Sequence, residues 1–378
     1  MNNLHNSNMD HKDILTDRRM PVWKMIVIDI GLTALFLGIF LIYHYVIPRQ
    51  ISNSDEQIVA TAVTGEENNF VLPGNPKAEA KPSLAPSDTD NLSSANKDST
   101  SLSKGNDSGR INYGNTGTME IASNPLGGNL SVIDEIVTEV NSYQGDKVQF
   151  ITNKVELGSG RDKITYYASD VYVTNVSYLK AAFAKGEYGK NIRTATATMA
   201  EENDALLAIS GDFYGNGETG IVIRNGILYR SVMNDADICV LFTDGSMKTY
   251  SPEDFNLEEV IDQGAWQAWT FGPELLDGEG HILDTFNTTK YLNSTNPRCA
   301  IGYIEPGHYV FVIVDGRDEG YSRGVSLSEL AQIMVNEGSQ AAYNLDGGKS
   351  AAMVYDGSYV NQPAQGGRTI SDIIYLGE

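Results

Sequence analysis

The sequence predicts an α+β fold, with mixed or antiparallel sheets and a few packed helices, preceded by a single transmembrane helix and a disordered linker. Three observations lead there. Short β-branched and aromatic runs meet at Asn225-Gly226, Asp244-Gly245 and Asp356-Gly357, dipeptides that close two-residue antiparallel hairpins. Few segments have helical spacing, which argues against the alternating strands and helices of a doubly wound sheet. One long apolar run lies near the N-terminus, and a polar tract follows it.

Residues 25–47 read MIVIDIGLTALFLGIFLIYHYVI. As a helix they rise roughly 34 Å, enough to cross a hydrocarbon core of about 30 Å. Asp29 lies one turn from the start, within reach of the interface. Trp23 stands before the run and Tyr43 and Tyr45 at its end, as amphipathic rings do at headgroup depth. The run is too long for the apolar part of a cleaved signal peptide, and Tyr-His-Tyr follows where a small-residue cleavage site would be needed. Lys12, Arg18, Arg19 and Lys24 precede it, whereas Arg49 is soon offset by Asp55 and Glu56. The positive-inside bias therefore predicts a short cytoplasmic tail over 1–24, a transmembrane helix over 25–47 and an extracellular remainder.

Residues 48–129 are rich in Ser, Asn, Asp, Gly, Pro and Thr. They carry too few apolar side chains to offset the entropy of ordering them, so they are expected to form a flexible linker. Residues 130–378 suffice for one large core or two closely joined halves. Within them 131–143 has apolar residues at helical spacing, 164–176 reads as one or two strands, and 177–185 as a short helix. A buried strand over 205–210 ends in Gly211-Asp212, and hairpins follow over 220–230 and 238–250. Residues 299–304 and 309–314 pair across a turn at 305–308. Ser326 and Glu329 form a capping box for a helix over 326–336, closed by Gly338. A strand over 341–345 and a hairpin over 351–359 complete the series.

The chain has 49 acidic and 27 basic residues, a formal charge of -22. Such a surface repels nucleic acid, although a local group of arginines can still hold a phosphate within a cleft. Cys239 and Cys299 could form one disulfide, and neither has neighbouring histidines that suggest a metal site. No cofactor is expected, and a divalent metal has no support in the pattern. His281 and His308 fall in turns and are expected to face solvent.

Four apolar segments end abruptly in charge and glycine: AISGDFYG (208–215), NPRCAIG (296–302), VIVDGR (312–317) and YNLDGGKS (343–350). A sheet can present functional groups from such ends. Asp212, Asp315 and Asp346 are the candidate catalytic carboxylates. Arg298, Arg317, Asn344, Gly347, Gly348, Ser350 and Arg368 are the candidate groups for a substrate bearing phosphate, since a guanidinium binds such anions bidentately. Each Asp-Gly, taken alone, is more often a plain turn than a catalytic group, and Arg317 could form a loop salt bridge. Tyr167, Tyr214, Trp266 and Trp269 could stack on sugars or fill the core.

The ordered set AISGDFYG, GIVIRNG, NPRCAIGY, VDGR, the run SLSELAQIMVNEGSQAAYNLDGGKS and a late GGR resembles the phosphodiester glycosidase family over about residues 165–376. The resemblance implies hydrolysis of a sugar-1-phosphodiester. It places Asp212 in the family's early site loop, Arg298 in its Pro-Arg segment, and Asp315 and Arg317 in its Asp-Gly-Arg. Asn344, Asp346, Gly347, Gly348 and Ser350 fall in its Asn-Leu-Asp-Gly-Gly run, and Arg368 matches its late arginine. Two departures stand out: Ser210-Gly211-Asp212-Phe213 replaces Asn-Gly-Gly-Phe, and Lys349 stands where many members have a third glycine. With the anchor, the expected partners are an envelope glycopolymer or sugar-phosphate, and the lipid bilayer through 25–47. Two rivals stay open, a glycopolymer-binding module without turnover and a phosphodiesterase with a metal on Asp212, Asp315 and Asp346.

Overall fold

The computed structural model describes residues 21–50, 57–61, 70–73, 118–119 and 133–378. Met1–Ile47 and Pro48–Glu378 form two units. In the first, the helix Val22–Tyr45 begins after Pro21 and buries none of its side chains. It is long and apolar enough to cross a membrane, which supports a single-span topology.

The second unit is built on sheets whose described pairings are all antiparallel. An eight-stranded sheet has the order Glu274–Asp277, Ala341–Leu345, Arg298–Glu305, His308–Val314, Ile164–Val173, Val148–Leu157, Ile133–Gln144 and Thr118–Met119. A six-stranded sheet runs Met247–Tyr250, Ile238–Phe242, Ala265–Trp269, Gly220–Arg224, Ile227–Val232 and Gln57–Ile58. A five-stranded sheet runs Ser358–Tyr359, Met353–Tyr355, Leu207–Ser210, Asp372–Leu376 and Leu179–Phe183.

The strand His308–Val314 explains the layering. Tyr309, Phe311 and Ile313 enter a core shared with Leu207, Ile209 and Ile374 of the five-stranded sheet and with Leu241 and Trp269 of the six-stranded sheet. Val310, Val312 and Val314 face the other way, against Leu327, Leu330, Ala331 and Met334 of the helix Leu327–Asn336. Both faces are buried, so the strand reads as a continuous apolar run without alternation. The capping box of Ser326 and Glu329 is present, and Gly338 takes φ +86° after the helix. The Asn225-Gly226 turn has both residues at positive φ, the conformation a two-residue hairpin needs.

Several local expectations are corrected. Residues 131–143 were expected to be helical, but Ile133–Gln144 is a strand paired along Val148–Leu157. A bulge between Glu139 and Asn141 resets its alternation, which blurs the period-two signal and leaves apolar residues at a spacing that resembles a helix. Residues 177–185 contain a 3-10 turn at Val176–Tyr178, then a strand, Leu179–Phe183, recruited by pairing with Asp372–Leu376. His308 is buried: its Nε2 lies 2.6 Å from Asp170 Oδ1 and its ring stacks on Tyr172. Cys239 and Cys299 are free, buried thiols. Tyr167, Tyr214, Trp266 and Trp269 are all buried, so none offers an open stacking face.

Most of 48–129 lies outside the described residues. Of the described pieces, Arg49–Gln50 pairs with Gly189–Lys190, Gln57–Ile58 with Ile227–Leu228, and Thr118–Met119 with Ile133–Asp134. The Phe70 amide donates to Thr174 O at 2.6 Å.

Candidate active site

The strands Leu207–Ser210 and Ala341–Leu345 deliver their last residues to the same place. Asp346 N donates to Gly211 O at 3.1 Å, and Ser210 Oγ donates to Asp346 O at 3.3 Å. Gly211 is required there: a Cβ would stand 2.5 Å from Asp372 Oδ1. Two groups of carboxylates and guanidiniums are built around this junction.

The inner group is sealed. Arg224 Nη2 lies 2.8 Å from both Asp212 Oδ2 and Asp372 Oδ2, and Arg224 Nε donates to Asp372 Oδ2 at 2.9 Å. Its Nη1 donates to the carbonyls of Ile223 and Ala268. Asp212 Oδ1 accepts from Tyr214 N at 2.8 Å and Oδ2 from Thr270 N at 3.2 Å. All three side chains are at most 2% exposed. Burial pushes the Asp372 carboxyl up to about 7, against the pull of Arg224 and with added repulsion from Asp212.

The outer group is half open. Arg368 Nη2 donates to both oxygens of Asp346 at 2.9 Å, and its Nε donates to Ser350 Oγ at 2.5 Å. Asp346 is buried, whereas the Arg368 side chain is 41% exposed. Burial raises the Asp346 pKa, and the charge of Arg368 and hydrogen bonds from Ser350 and Arg368 oppose it. The guanidinium carbon of Arg368 also sits 5.2 Å from the centre of the half-buried Phe213 ring. Gly348 takes φ +62°, and a Cβ there would be 3.3 Å from Arg317 Nη2, so the exposed Arg317 guanidinium lies over this glycine.

The other expected residues take different positions. Asp315 is buried and accepts from Asn361 Nδ2 at 2.7 Å, Tyr321 Oη at 2.8 Å and Gln362 N at 2.9 Å. Burial raises its pKa, and these three donors oppose the shift. Arg298 is 3% exposed and spends its donors on the carbonyls of Val325, Leu292 and Ser294. Burial and the charge of Arg317 push its pKa down to about 10. The loop it holds carries Asn296, whose Oδ1 accepts from Arg317 Nη2 at 2.7 Å. Asn344 donates to Gly272 O at 2.7 Å, and Gly347 leaves room for Pro297 O, 2.7 Å from where its Cβ would be. Asp346 and Arg368 with Ser350, Gly348 and Arg317 are thus brought together. Asp212 faces the sealed group, and Arg298 faces a loop.

Sequence reasoning missed Arg224, Asp372, Asn361 and Tyr321. Two of them had a signal: Arg224 ends GIVIR and Asp372 opens DIIYL, and a charge in an apolar strand must find a partner when buried.

Residues 203–377 match the phosphodiester glycosidase family. The matched span contains Asp212, Arg298, Asp315, Asp346 and Arg368. The SPbeta prophage-derived uncharacterized protein YomE of Bacillus subtilis (strain 168) is 31% identical over 185 residues, 47% of this chain and 29% of that protein. N-acetylglucosamine-1-phosphodiester alpha-N-acetylglucosaminidase of Homo sapiens is 35% identical over 81 residues, 21% of this chain and 15% of that protein. The chain therefore spans less than a third of either relative. The zebrafish catalytic domain of the latter enzyme, auto-inhibited by its pro-peptide, superposes with a TM-score of 0.51 at 18% identity, over 66% of this chain and 89% of that one. That likeness concerns the fold.

An exposed group of Asp277, Glu279 and His281 could hold a cation by its donor types, but it lies apart from the aspartates of the two groups above in sequence and shares none of them.

Proposed function

We propose that the chain hydrolyses a sugar-1-phosphodiester at the glycosidic carbon–oxygen bond, as a phosphodiester glycosidase of an envelope glycan or glycopolymer. The observation that carries this is the outer group. It sets a buried carboxylate, Asp346, against an accessible guanidinium, Arg368, with Arg317 over Gly348, inside the span matched by the family.

In this reading Arg317 and Arg368 hold the bridging phosphate. Asp346, held in place by Arg368, acts on the anomeric carbon directly or through a water it deprotonates. Overall, the oxygen of water bonds to the anomeric carbon, the bond from that carbon to the phosphate oxygen breaks, and that oxygen leaves on a phosphomonoester. Phosphate is already a good leaving group, so charge stabilisation by the arginines matters more than protonation. Asp315, held by Asn361, Tyr321 and Gln362, is the alternative reacting carboxylate. Asp212 and Arg298 position: the first holds the Tyr214 turn, the second the loop bearing Asn296. A metal on Asp212, Asp315 and Asp346 would have to displace donors on all three, including two guanidiniums, which disfavours the phosphorus–oxygen cleaving alternative.

The helix Val22–Tyr45 and the basic residues before it support a single-pass protein with residues 1–24 in the cytoplasm and the domain from about 130 outside, joined through 48–129. The test is to incubate the purified full chain, in detergent, with a panel of sugar-1-phosphodiesters. Free sugar and phosphomonoester are expected. Sugar-1-phosphate would establish phosphorus–oxygen cleavage instead, and binding without turnover a carbohydrate-binding module.

A further inference from the structure

The Phe213 ring has a second cationic neighbour. The guanidinium carbon of Arg193 lies 5.8 Å from its centre, beside Arg368 at 5.2 Å. The two arginines are mounted on one piece of backbone: Thr194 and Ile370 form an antiparallel bridge, each amide donating to the other's carbonyl, at 3.0 and 2.8 Å. Arg193 Nη2 donates to Asn216 Oδ1 at 2.8 Å, and Asn216 N donates to Phe213 O at 3.1 Å, so Arg193 is tied to the turn that carries the ring. Arg193 has no carboxylate partner among the described residues, and its buried Nε has no hydrogen bond there. In a chain of charge -22, a half-buried arginine with no ion pair among the described residues, next to an aromatic ring, is unusual company. Arg368 contacts Asp346 and Phe213 at once, so Arg193 stands one ring further from the carboxylate.

From this arrangement we propose that Arg193 and Phe213 form a subsite for a second anionic group of the substrate, which makes the substrate a polyanionic glycan of repeating charged units. The location of the scissile linkage at Asp346 rests on the function proposed above. Phe213 holds both guanidiniums beside one ring, and the guanidinium of Arg193 offers donors beyond its bond to Asn216 for a phosphate or carboxylate. A substrate with a single anion would fill the Arg317 and Arg368 end and leave Arg193 unused.

The test uses the full chain in detergent in an Asp346→Asn background, so that binding is read without turnover. The probes are an oligomer of at least three sugar-1-phosphate repeats and its single-linkage counterpart. Arg193→Gln is expected to weaken oligomer binding about tenfold and to leave the single-linkage probe unchanged. Arg193→Lys is expected to recover part of the loss, which separates charge from packing. Equal affinity of Arg193→Gln and its parent for the oligomer, or an equal loss for both probes, overturns the proposal. Product analysis on the unmodified Asp346 chain reports separately on the hydrolysis, so failure of that reaction leaves the binding result interpretable.

Discussion

The inner and outer carboxylate groups use the same chemistry to opposite ends. Asp212, Arg224 and Asp372 are sealed, and their charges are spent on each other and on backbone groups. Asp346 is buried too, but its guanidinium partner is 41% exposed and touches an aromatic ring that is only half buried. Exposure of the cation separates a strut from a candidate site: a buried pair resists rearrangement, whereas a guanidinium at the surface can exchange a partner for a ligand.

The largest effect should fall on the inner group. Arg224→Ala leaves two carboxylates buried without their cation and is expected to destabilise the fold by about 3–5 kcal/mol, read from the midpoint and slope of chemical unfolding. A loss under about 1 kcal/mol would mean that the group is not the strut described. Asp346→Asn should do the reverse. It keeps the shape, leaves the unfolding midpoint nearly unchanged and lowers turnover about 10²- to 10⁴-fold. Retained turnover would move the reacting carboxylate to Asp315, and Asp315→Asn would then carry the loss.

How much of this contrast was legible in the sequence differs between the two groups. The four strand ends and the late Gly-Gly-Arg could be read because each is an abrupt break from apolar to polar, and the structure brings Asp346, Ser350, Gly348, Arg317 and Arg368 together. The inner group was not legible because Arg224 and Asp372 lie on strands of two different sheets and Asp212 in the loop after Leu207–Ser210, far apart in sequence. Pattern alone also cannot tell that Asp212 points at Arg224 or that Arg298 caps a loop, since direction depends on tertiary packing. The same limit applies to Ile133–Gln144, where one bulge was enough to imitate a helical period.

A smaller effect concerns pH. Burial raises the Asp372 pKa to about 7 in the fold, above the ordinary aspartate value of about 4 in the unfolded chain. The folded state therefore binds the extra proton between those values. The stability this group contributes is full below about pH 4, declines as pH rises toward 7, and is level above it. Asp372→Asn should flatten that slope in unfolding measurements across the window. An unaltered slope would assign the pH dependence to other groups. The smallest effect is expected at the rim: Arg317→Gln should lower kcat/KM for a phosphodiester about tenfold, with stability unchanged, because the side chain is exposed and bonded to a neutral amide.

Under the proposed function, the outer group breaks the carbon–oxygen bond of a sugar-1-phosphodiester. Turnover by the full chain in water enriched in heavy oxygen tests it most directly. The label is expected in the released sugar, with none in the phosphomonoester. Label in the phosphate, with sugar-1-phosphate as a product, would contradict it.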